Sequence, residues 1–447
     1  MALTLADDSP TRRLEKNDPA LQHLYLSSDT TSDEGELEAL IEALAGAQHL
    51  CHVYFRNFKV FHGNCPMKRL LAAMTTVPQL ESLAFHCTEV PLDCLTLLLQ
   101  EAPVLTALGL RYCKLRYQRQ QVEFQAFEQA LRQNTSLTDV CIECCDWQAE
   151  EHNSNNSNNN HHQTSSFLEA ISYIPSLRHV ECVLPKNKST NQQNAHQLAR
   201  RGRNRLPPST LERMGQMPQL SSLRLRNIWF PQEDVALLCQ SFQSPSPNRL
   251  QKLILSCDLG RTSATALATV LLHANLTQLS LRIDALDDPD APVILAHALA
   301  QTSTSLQHFH LSGAAASQLS TKSKTALCDM MATNTALEFV RLEVADYHLQ
   351  AQIAFYLQLN HWGRRELFQG LRQCSNGSSD SEELWFRALY QNATHLRAIH
   401  HFVALNPGLF ARAALQVEEQ RQQQQQCCKL QHFDSFDQGI EYDSDGW

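Results

Sequence analysis

A run of three cysteines is the first group of residues that could support chemistry. Cys141-x-x-Cys144-Cys145 is followed by His152, His161 and His162. Thiolates and imidazoles at such spacing suit a tetrahedral zinc site. Cys141, however, falls at an outward-facing strand position, so structural thiols are the favoured interpretation. The sequence predicts neither a metal nor a cofactor.

A basic segment is the second candidate. It has six positive charges and no acidic residue between its ends, at Lys186, Lys188, Arg200, Arg201, Arg203 and Arg205. Such a cluster could contact a polyanion or act as a nuclear-import signal. A solvated loop is the simpler interpretation, and nucleic-acid contact through residues 186–205 is kept as a less favoured alternative.

Motifs typical of enzymes are missing from the sequence. It has no phosphate-binding G-x-x-x-x-G-K-[ST], no G-x-G-x-x-G, no G-x-S-x-G and no His-Glu-x-x-His. These motifs would supply a phosphate cradle, a nucleophile elbow or a metal-bound water. Without them, the sequence favours a protein that is not an enzyme.

Composition narrows the class of protein further. The 447 residues carry 37 basic and 46 acidic side chains, for a net charge of −9, which argues against a protein that coats nucleic acid. No apolar run reaches the length of a membrane span, and the amino-terminal residues do not resemble a secretory signal. Fifteen cysteines, an odd number, favour free thiols in a reducing compartment. We expect an intracellular protein, cytoplasmic in preference to nuclear.

A sequence repeat predicts the strands and helices that would position any site. The pattern apolar-x-x-apolar-x-apolar occurs eleven times, and eight of the ten steps between copies are 25–32 residues long. The copies begin at Leu21, Leu50, Leu80, Leu105, Leu137, Leu177, Leu220, Leu250, Leu276, Leu306 and Leu337.

The spacing within each copy predicts a short strand. Side chains two residues apart share one face of a strand, so the second and third apolar residues point into a core. Between the strands, apolar residues recur at helical spacing, as in Leu37–Leu44, Leu92–Leu98 and Leu267–Leu271. One strand and one helix per copy predict an α/β solenoid of parallel inner strands and outer helices.

The repeat resembles that of leucine-rich-repeat proteins, specifically the ribonuclease-inhibitor-like subfamily. The likeness rests on the Leu-x-x-Leu-x-Leu cores, the period near 29 residues and the helical second halves, and it covers residues 21 to about 345. The family often has Asn or Cys eight residues after the first leucine. Cys113, Cys145, Asp29, Asp258 and Asp284 occupy that position here, whereas Phe58, Ile228 and Ala314 depart from it.

Domain boundaries follow from where the repeat begins and ends. We expect a disordered segment over 1–18, the solenoid over 19–345, a helical cap over 346–415, and a disordered glutamine-rich and acidic tail over 416–447. Two long steps predict flexible insertions near 150–166 and 186–208. The cap would cover the last repeat, whose apolar face has no neighbour.

The concave face of such a solenoid is the predicted binding surface. Arginine, tyrosine and histidine recur at strand positions that point away from the core, and side chains of this kind are enriched at binding hot spots. The candidates are Tyr25, Tyr54, Arg56, His86, Arg111, Arg224, Arg226, Arg282, His310 and Arg341. The sequence therefore predicts a scaffold that binds a partner protein with an acidic face. Alternatives are a GTPase-activating regulator of a small GTPase and a substrate adaptor of a ubiquitin ligase.

Overall fold

The structure of the chain is a computed structural model. It describes residues 9–27, 34–58, 66–117, 120–149, 157–185, 205–243, 249–301, 305–373, 379–392 and 395–407, and six further positions after 407. By its internal contacts the chain divides into two compact units, residues 1–354 and 355–447.

A parallel sheet of eleven strands dominates the first unit. Its strands in spatial order are β1 (His23–Ser27), β2 (His52–Arg56), β3 (Ser82–His86), β5 (Ala107–Arg111), β7 (Asp139–Glu143), β9 (His179–Val183), β10 (Ser222–Phe230), β11 (Lys252–Leu259), β12 (Gln278–Leu286), β13 (His308–Ser312) and β14 (Phe339–Leu342). Each strand contains the second and third apolar residues of one copy of the repeat, and the first leucine lies two residues before the strand. The predicted leucine-rich-repeat solenoid is therefore confirmed.

One helix, α1, precedes β1, and the other helices of this unit lie between successive strands of the large sheet. They are α1 (Pro10–Glu15), α2 (Glu34–Ala45), α3 (Pro66–Met74), α4 (Leu92–Glu101), α5 (Gln120–Gln133), α6 (Ser157–Ile171), α7 (Pro208–Gln216), α8 (Gln232–Ser241), α9 (Arg261–His273), α10 (Ala291–Gln301) and α11 (Thr321–Thr333). The three expected helices coincide with α2, α4 and α9, and most of their apolar residues are buried.

A short second sheet lies beyond the turns that follow three of the strands. It consists of β4 (Glu89–Pro91), β6 (Lys114–Tyr117) and β8 (Asp146–Ala149). In each case a residue with positive φ stands between the two strands, namely Cys87, Tyr112 and Cys144. This left-handed conformation turns the chain sharply from one sheet to the other.

Thiols satisfy backbone groups in these turns. Cys113 Sγ donates to the carbonyl of Phe85 at 3.4 Å, and Cys145 Sγ donates to that of Leu110 at 3.2 Å. At the equivalent position Phe58 instead packs edge-on against Phe55, with ring centroids 5.7 Å apart. Ala314 begins a short 3-10 segment, Ala314–Gln318. The departures from the family pattern therefore correspond to different ways of closing the turn.

Two asparagines hold helix ends at distant repeats in the same way. Asn134 Nδ2 donates to the carbonyl of Leu99, and its Oδ1 accepts from the backbone N–H of Leu137 at 2.8 Å. Asn334 makes the matching bonds to Leu299 and Leu337. Each side chain supplies a partner for a carbonyl in the last turn of the neighbouring helix. The sequence signal is Asn-Thr three residues before the repeat leucine.

The amino-terminal segment is ordered earlier than the sequence predicts. Residues 10–15 form α1, and Leu14 is buried. Ser9 Oγ accepts from the backbone N–H of Arg12 at 3.4 Å, and Pro10 is the first helical residue. The polar composition of residues 1–18 predicts disorder. A serine cap followed by proline at the first helical position is a signal that favours the start of a helix.

The first predicted insertion also contains a helix. Instead of a flexible loop over 150–166, α6 begins at Ser157. Thr164 Oγ1 accepts from Trp147 Nε1 at 3.3 Å, and Phe167 and Leu168 are fully buried. Burial of the carboxyl-terminal half of α6 stabilises the whole helix, although its amino-terminal half consists of polar residues. In the second insertion, residues 186–204 lie outside the described part of the chain.

The second unit has a helical core of its own. After α12 (Tyr347–Leu359) and a kinked segment Asn360–Arg364, it contains α13 (Arg365–Gln373), α14 (Ser379–Gln391) and α15 (Leu396–Leu405). Its core is formed by Leu359, Leu367, Trp385, Ala388, Ala398 and Phe402. Helices are expected here, whereas the capping role remains a prediction. None of the helices within the described ranges is both long and apolar enough to cross a membrane.

Candidate functional site

All ten predicted surface residues lie on the concave face of the large sheet. Strand pairing aligns them in lateral rows, because residues of equal repeat position are partners across neighbouring strands. Tyr25 pairs with Tyr54, and Arg56, His86 and Arg111 are consecutive partners. His310 pairs with Arg341. The buried leucines alternate with them and point to the opposite side of the sheet.

Aromatic rings stack at the amino-terminal end of this face. Tyr25 and Tyr54 have ring centroids 4.9 Å apart, and His23 and His52 have theirs 4.5 Å apart. Arg56 Nη1 lies 3.5 Å from the Tyr25 hydroxyl. Burial and the neighbouring Tyr25 raise the pKa of Tyr54, so its phenol stays protonated near neutral pH. The result is a flat aromatic surface beside an exposed guanidinium.

A small polar network surrounds Arg111. Its Nε lies 3.5 Å from Cys141 Sγ and 3.7 Å from Glu143 Oε2. Tyr112 donates its hydroxyl to Glu143 Oε1 at 2.9 Å and packs edge-on against His86. Tyr112 was not among the predicted residues because it follows the strand. Its positive φ, 54°, allows its ring to reach the concave face.

Arginines farther along the sheet are engaged within the chain. Arg224 Nη1 contacts Glu181 Oε1 at 2.6 Å. Arg282 donates to Asn227 Oδ1 at 3.0 Å and to Asp284 Oδ1 at 3.2 Å. Both side chains are half-buried. They stabilise the wall itself, in addition to any contact with a partner that the sequence predicts for them.

Part of the concave face is closed to solvent. The repeat predicts that Ile254, Ser256 and Ser280 point outward into water, but all three are buried. Ser256 Oγ accepts from the backbone N–H of Asn227 at 3.2 Å, and Ser280 Oγ lies 3.2 Å from His310 Nδ1. Hydrogen bonds to residues of the neighbouring strands or turns thus accompany the burial of both serines. The expectation of full exposure is therefore wrong for β11 and β12.

A groove of about 350 Å³ crosses the middle of the face. Small side chains form its floor at Ser82, Ala84, Ala107 and Gly109. Titratable groups line the rest of it at Asp139, Cys141, His179, Glu181, Arg224 and Lys252. A Cβ added at Gly109 would lie 3.3 Å from the Cβ of Ala84, which shows how closely the two strands approach.

Two exposed arginines on this face have no carboxylate partner. Within the described residues, no carboxylate oxygen lies within 4 Å of the guanidinium of Arg56 or Arg226. Burial and the neighbouring Arg224 lower the pKa of Arg226, although an arginine stays charged at neutral pH. Arg341 is exposed and lies 3.9 Å from Glu343. Arg56 and Arg226 are thus available to an acidic group on another molecule.

A serine, a histidine and an aspartate also meet on this face. His179 Nδ1 lies 3.3 Å from Ser221 Oγ, and its Nε2 lies 3.8 Å from Asp139 Oδ1. Ser221 Oγ also lies 3.1 Å from the carbonyl oxygen of Arg178. The Ser221 hydroxyl thus has two neighbours, the Arg178 carbonyl and His179 Nδ1, and the histidine tautomer decides which of them accepts its proton.

The cysteine and basic candidates are placed as follows. Cys141 lies on the concave face, whereas Cys145 is buried in the turn behind it. The described residues contain no group of three potential metal ligands. Of the basic segment, only Arg205 is described, and it makes a bidentate contact to buried Asp234 at 2.6 and 2.8 Å. That contact neutralises Arg205, and the other five positive charges lie outside the described residues.

Comparison with known proteins finds similarity to solved structures at low sequence identity. No family model matches, and no curated protein matches. Among solved structures, the tropomodulin C-terminal domain of Caenorhabditis elegans is 16% identical with a TM-score of 0.25, covering 36% of this chain and 89% of that one. The leiomodin-1 actin-binding site 2 is 14% identical with a TM-score of 0.27, covering 38% and 90%.

A third solved structure overlaps more of the chain. The yeast Rad7 and Elc1 complex is 12% identical with a TM-score of 0.35, covering 76% of this chain and 86% of that one. Likeness at this level carries no argument about a binding partner. The class is set by the chain's own features, a leucine-rich-repeat solenoid with an eleven-stranded parallel sheet.

Proposed function

We propose that this chain is a non-enzymatic scaffold that binds a partner protein along the concave face of its solenoid. We further propose that it belongs to the ribonuclease-inhibitor-like type of leucine-rich repeat. A helix between most successive strands and a period near 29 residues support that assignment. The partner recognised would present an acidic surface to the arginines of the wall.

The exposed guanidiniums of Arg56 and Arg226, which have no carboxylate within 4 Å among the described residues, carry the proposal. A charge without an internal ion pair gains more from an intermolecular contact than a charge that must first leave an ion pair. Arg56 also stands beside stacked tyrosines, and arginine and tyrosine are the side chains most enriched at interface hot spots. The two sites are several strands apart, so a partner would span a large part of the face.

An intracellular location, cytoplasmic in preference to nuclear, is part of the proposal. Eleven described cysteines are free thiols, five of them at least partly exposed. Such thiols are compatible with a reducing compartment. The neutralisation of Arg205 by Asp234 supports a structural role for that end of the basic segment.

Crosslinking mass spectrometry in native extract tests the scaffold function. The full chain and its Arg56→Glu plus Arg226→Glu variant are compared. We expect at least one protein to crosslink to the concave face of the wild type and to be lost from the variant. Arg12→Glu plus Arg249→Glu, at exposed positions outside the concave rows, is the matched control and should retain it. Identical crosslinks from all three chains would contradict the proposal.

A further inference from the structure

The groove on the concave face has a floor without large side chains. Ala84 and Gly109 are neighbours across β3 and β5. Ser82 and Ala107 are neighbours two residues earlier in the same strands. On either side the equivalent rows carry larger side chains, Tyr54 toward β2 and Glu181 toward β9. The floor can therefore accept the aliphatic part of a side chain from another molecule.

Opposite charges stand three strands apart in one lateral row of this groove, which continues beyond Asp139 through the small residues Ala107 and Ser82. Asp139, His179, Ser222 and Lys252 are successive partners across β7, β9, β10 and β11. The Asp139 side chain is 45% exposed, and the nearest basic group among the described residues is His179 at 3.8 Å. Within the same described ranges, no carboxylate lies within 4 Å of Lys252 Nζ. Asp139 also accepts a hydrogen bond from the Thr138 hydroxyl at 2.6 Å, which leaves its negative charge in place. One negative and one positive group thus face the groove, and neither forms an ion pair with a lysine, an arginine or a carboxylate among the described residues.

The distance between Asp139 and Lys252 defines a ligand pattern. Three strand spacings of about 4.8 Å separate Asp139 from Lys252 by about 14 Å. An extended peptide rises about 3.3 Å per residue, so this distance corresponds to about four residues. Residues i and i+4 of an extended segment lie on the same face, and both could point into the groove.

We propose that the groove binds an extended segment of the partner protein in which a lysine or arginine is four residues from an aspartate or glutamate. The basic side chain contacts Asp139 with its stem over Ala107 and Gly109, and the acidic one contacts Lys252. This inference deepens the proposed scaffold function and rests on it. It adds the orientation of the bound segment, which runs across the strands instead of along them.

A displayed library of random peptides tests this pattern without knowledge of the partner. Peptides of about twelve residues, long enough to cross the groove, are selected on the immobilised full chain. On the wild type, we expect enrichment of one basic and one acidic residue at a spacing of four. On Asp139→Lys, the enriched pair should become two acidic residues. On Lys252→Glu, it should become two basic residues.

Two further variants complete the design. Gly109→Leu adds a side chain to the floor and should reduce peptide recovery by about tenfold, the effect of losing about 1.4 kcal/mol of binding. Arg249→Glu matches the charge change of Lys252→Glu outside the groove and should leave the pattern unchanged. Circular dichroism checks folding, and the two charge variants at accessible side chains remain informative if Gly109→Leu does not fold.

The outcomes separate this inference from the scaffold function. No enrichment on the wild type, or the same enriched pattern on wild type, Asp139→Lys and Lys252→Glu, would overturn the groove assignment. If the crosslinks that depend on Arg56 and Arg226 persist in that case, the scaffold function stands and only the groove is wrong. Charge-dependent enrichment with no such crosslinks would support the groove and contradict the role of those arginines.

Discussion

Two parts of the same concave face differ in access to solvent. In the open segment, β3 to β9, small residues form the floor of a groove and charged side chains stand around it. In the closed segment, β10 to β13, Ile254, Ser256 and Ser280 are buried at repeat positions that face the concave side, although Arg226 stays exposed and Arg224 and Lys252 reach the edge of the groove. The leucine pattern is the same in both. Access to the face is therefore set by the residues between the leucines and not by the repeat.

Strand length follows the same division except at β13, which has five residues. The strands of the open segment that belong to the large sheet have five residues each, and β3, β5 and β7 then turn through a residue with positive φ into the second sheet. β10, β11 and β12 have eight or nine residues. The longer strands extend the ladder of backbone hydrogen bonds, and we infer that they make the closed segment the more rigid part of the wall.

The largest expected effect tests what the two segments share. Leu253→Asp in the closed segment and Leu83→Asp in the open one each place a charge at a fully buried site. We expect either change to lower the free energy of unfolding by more than about 4 kcal/mol, measured by denaturant titration. Gln251→Asp is the exposed control. Near-normal melting of either leucine variant would mean that the strand register is wrong.

The two asparagines give the next largest effect. Asn134→Ala and Asn334→Ala each remove the same hydrogen bonds at distant repeats and leave a buried carbonyl without its partner. We expect each to lower the free energy of unfolding by about 2 kcal/mol, measured by denaturant titration. Gln133→Ala, at the exposed position beside Asn134, is the control and should have little effect. Clearly unequal losses would show that the two repeats hold their helix ends differently.

Added volume separates the two segments directly. Ser256→Val removes the acceptor of the Asn227 N–H in the closed segment, and should lower the free energy of unfolding by about 1–2 kcal/mol. Ser82→Val makes the same exchange in the open segment, where the side chain is only partly buried and strand geometry favours a branched residue. Its effect should stay within about 0.5 kcal/mol. Equal destabilisation would remove the distinction between open and closed.

The smallest expected effect is a pH dependence in the closed segment. Burial lowers the pKa of His310 below its usual value near 6.5. Around and below pH 6.5, the unfolded chain therefore binds more protons than the folded chain. The contribution of His310 to the free energy of unfolding is present above pH 6.5 and decreases as the pH falls. In His310→Gln, the curve of melting temperature against pH should be flatter below about 6.5. If the curve of His310→Gln matched that of the wild type, another group would be responsible for the pH dependence.

The sequence predicts the solenoid because one physical pattern recurs at every copy. Strand positions follow from the leucines, and the rows of the concave face follow from strand alternation. The burial of Ile254 and Ser256 could not be predicted, because it depends on contacts with residues of the neighbouring strands or turns. Arg224 and Glu181 meet across 43 residues of chain, so their contact depends on the register after the insertion.

Local conformation set a second limit to the sequence prediction. Tyr112 joins the concave network through a left-handed turn, and no alternating pattern marks such a residue. Helix α6 extends through a polar run whose composition is typical of loops, because its apolar half is anchored in the core. Strand rows and the buried face of each helix could be predicted, whereas turn geometry and side-chain pairing across repeats could not.

The reactivity of the buried thiols would show where the solenoid opens locally. Cys145, Cys182, Cys239 and Cys257 lie in successive stretches of the chain, and burial contributes to the raised pKa of each. Alkylation needs an exposed thiolate, so each site reacts only when its own repeat opens. The order in which these four sulfurs react with iodoacetamide would give the order in which the repeats fray, from native protein with no substitution.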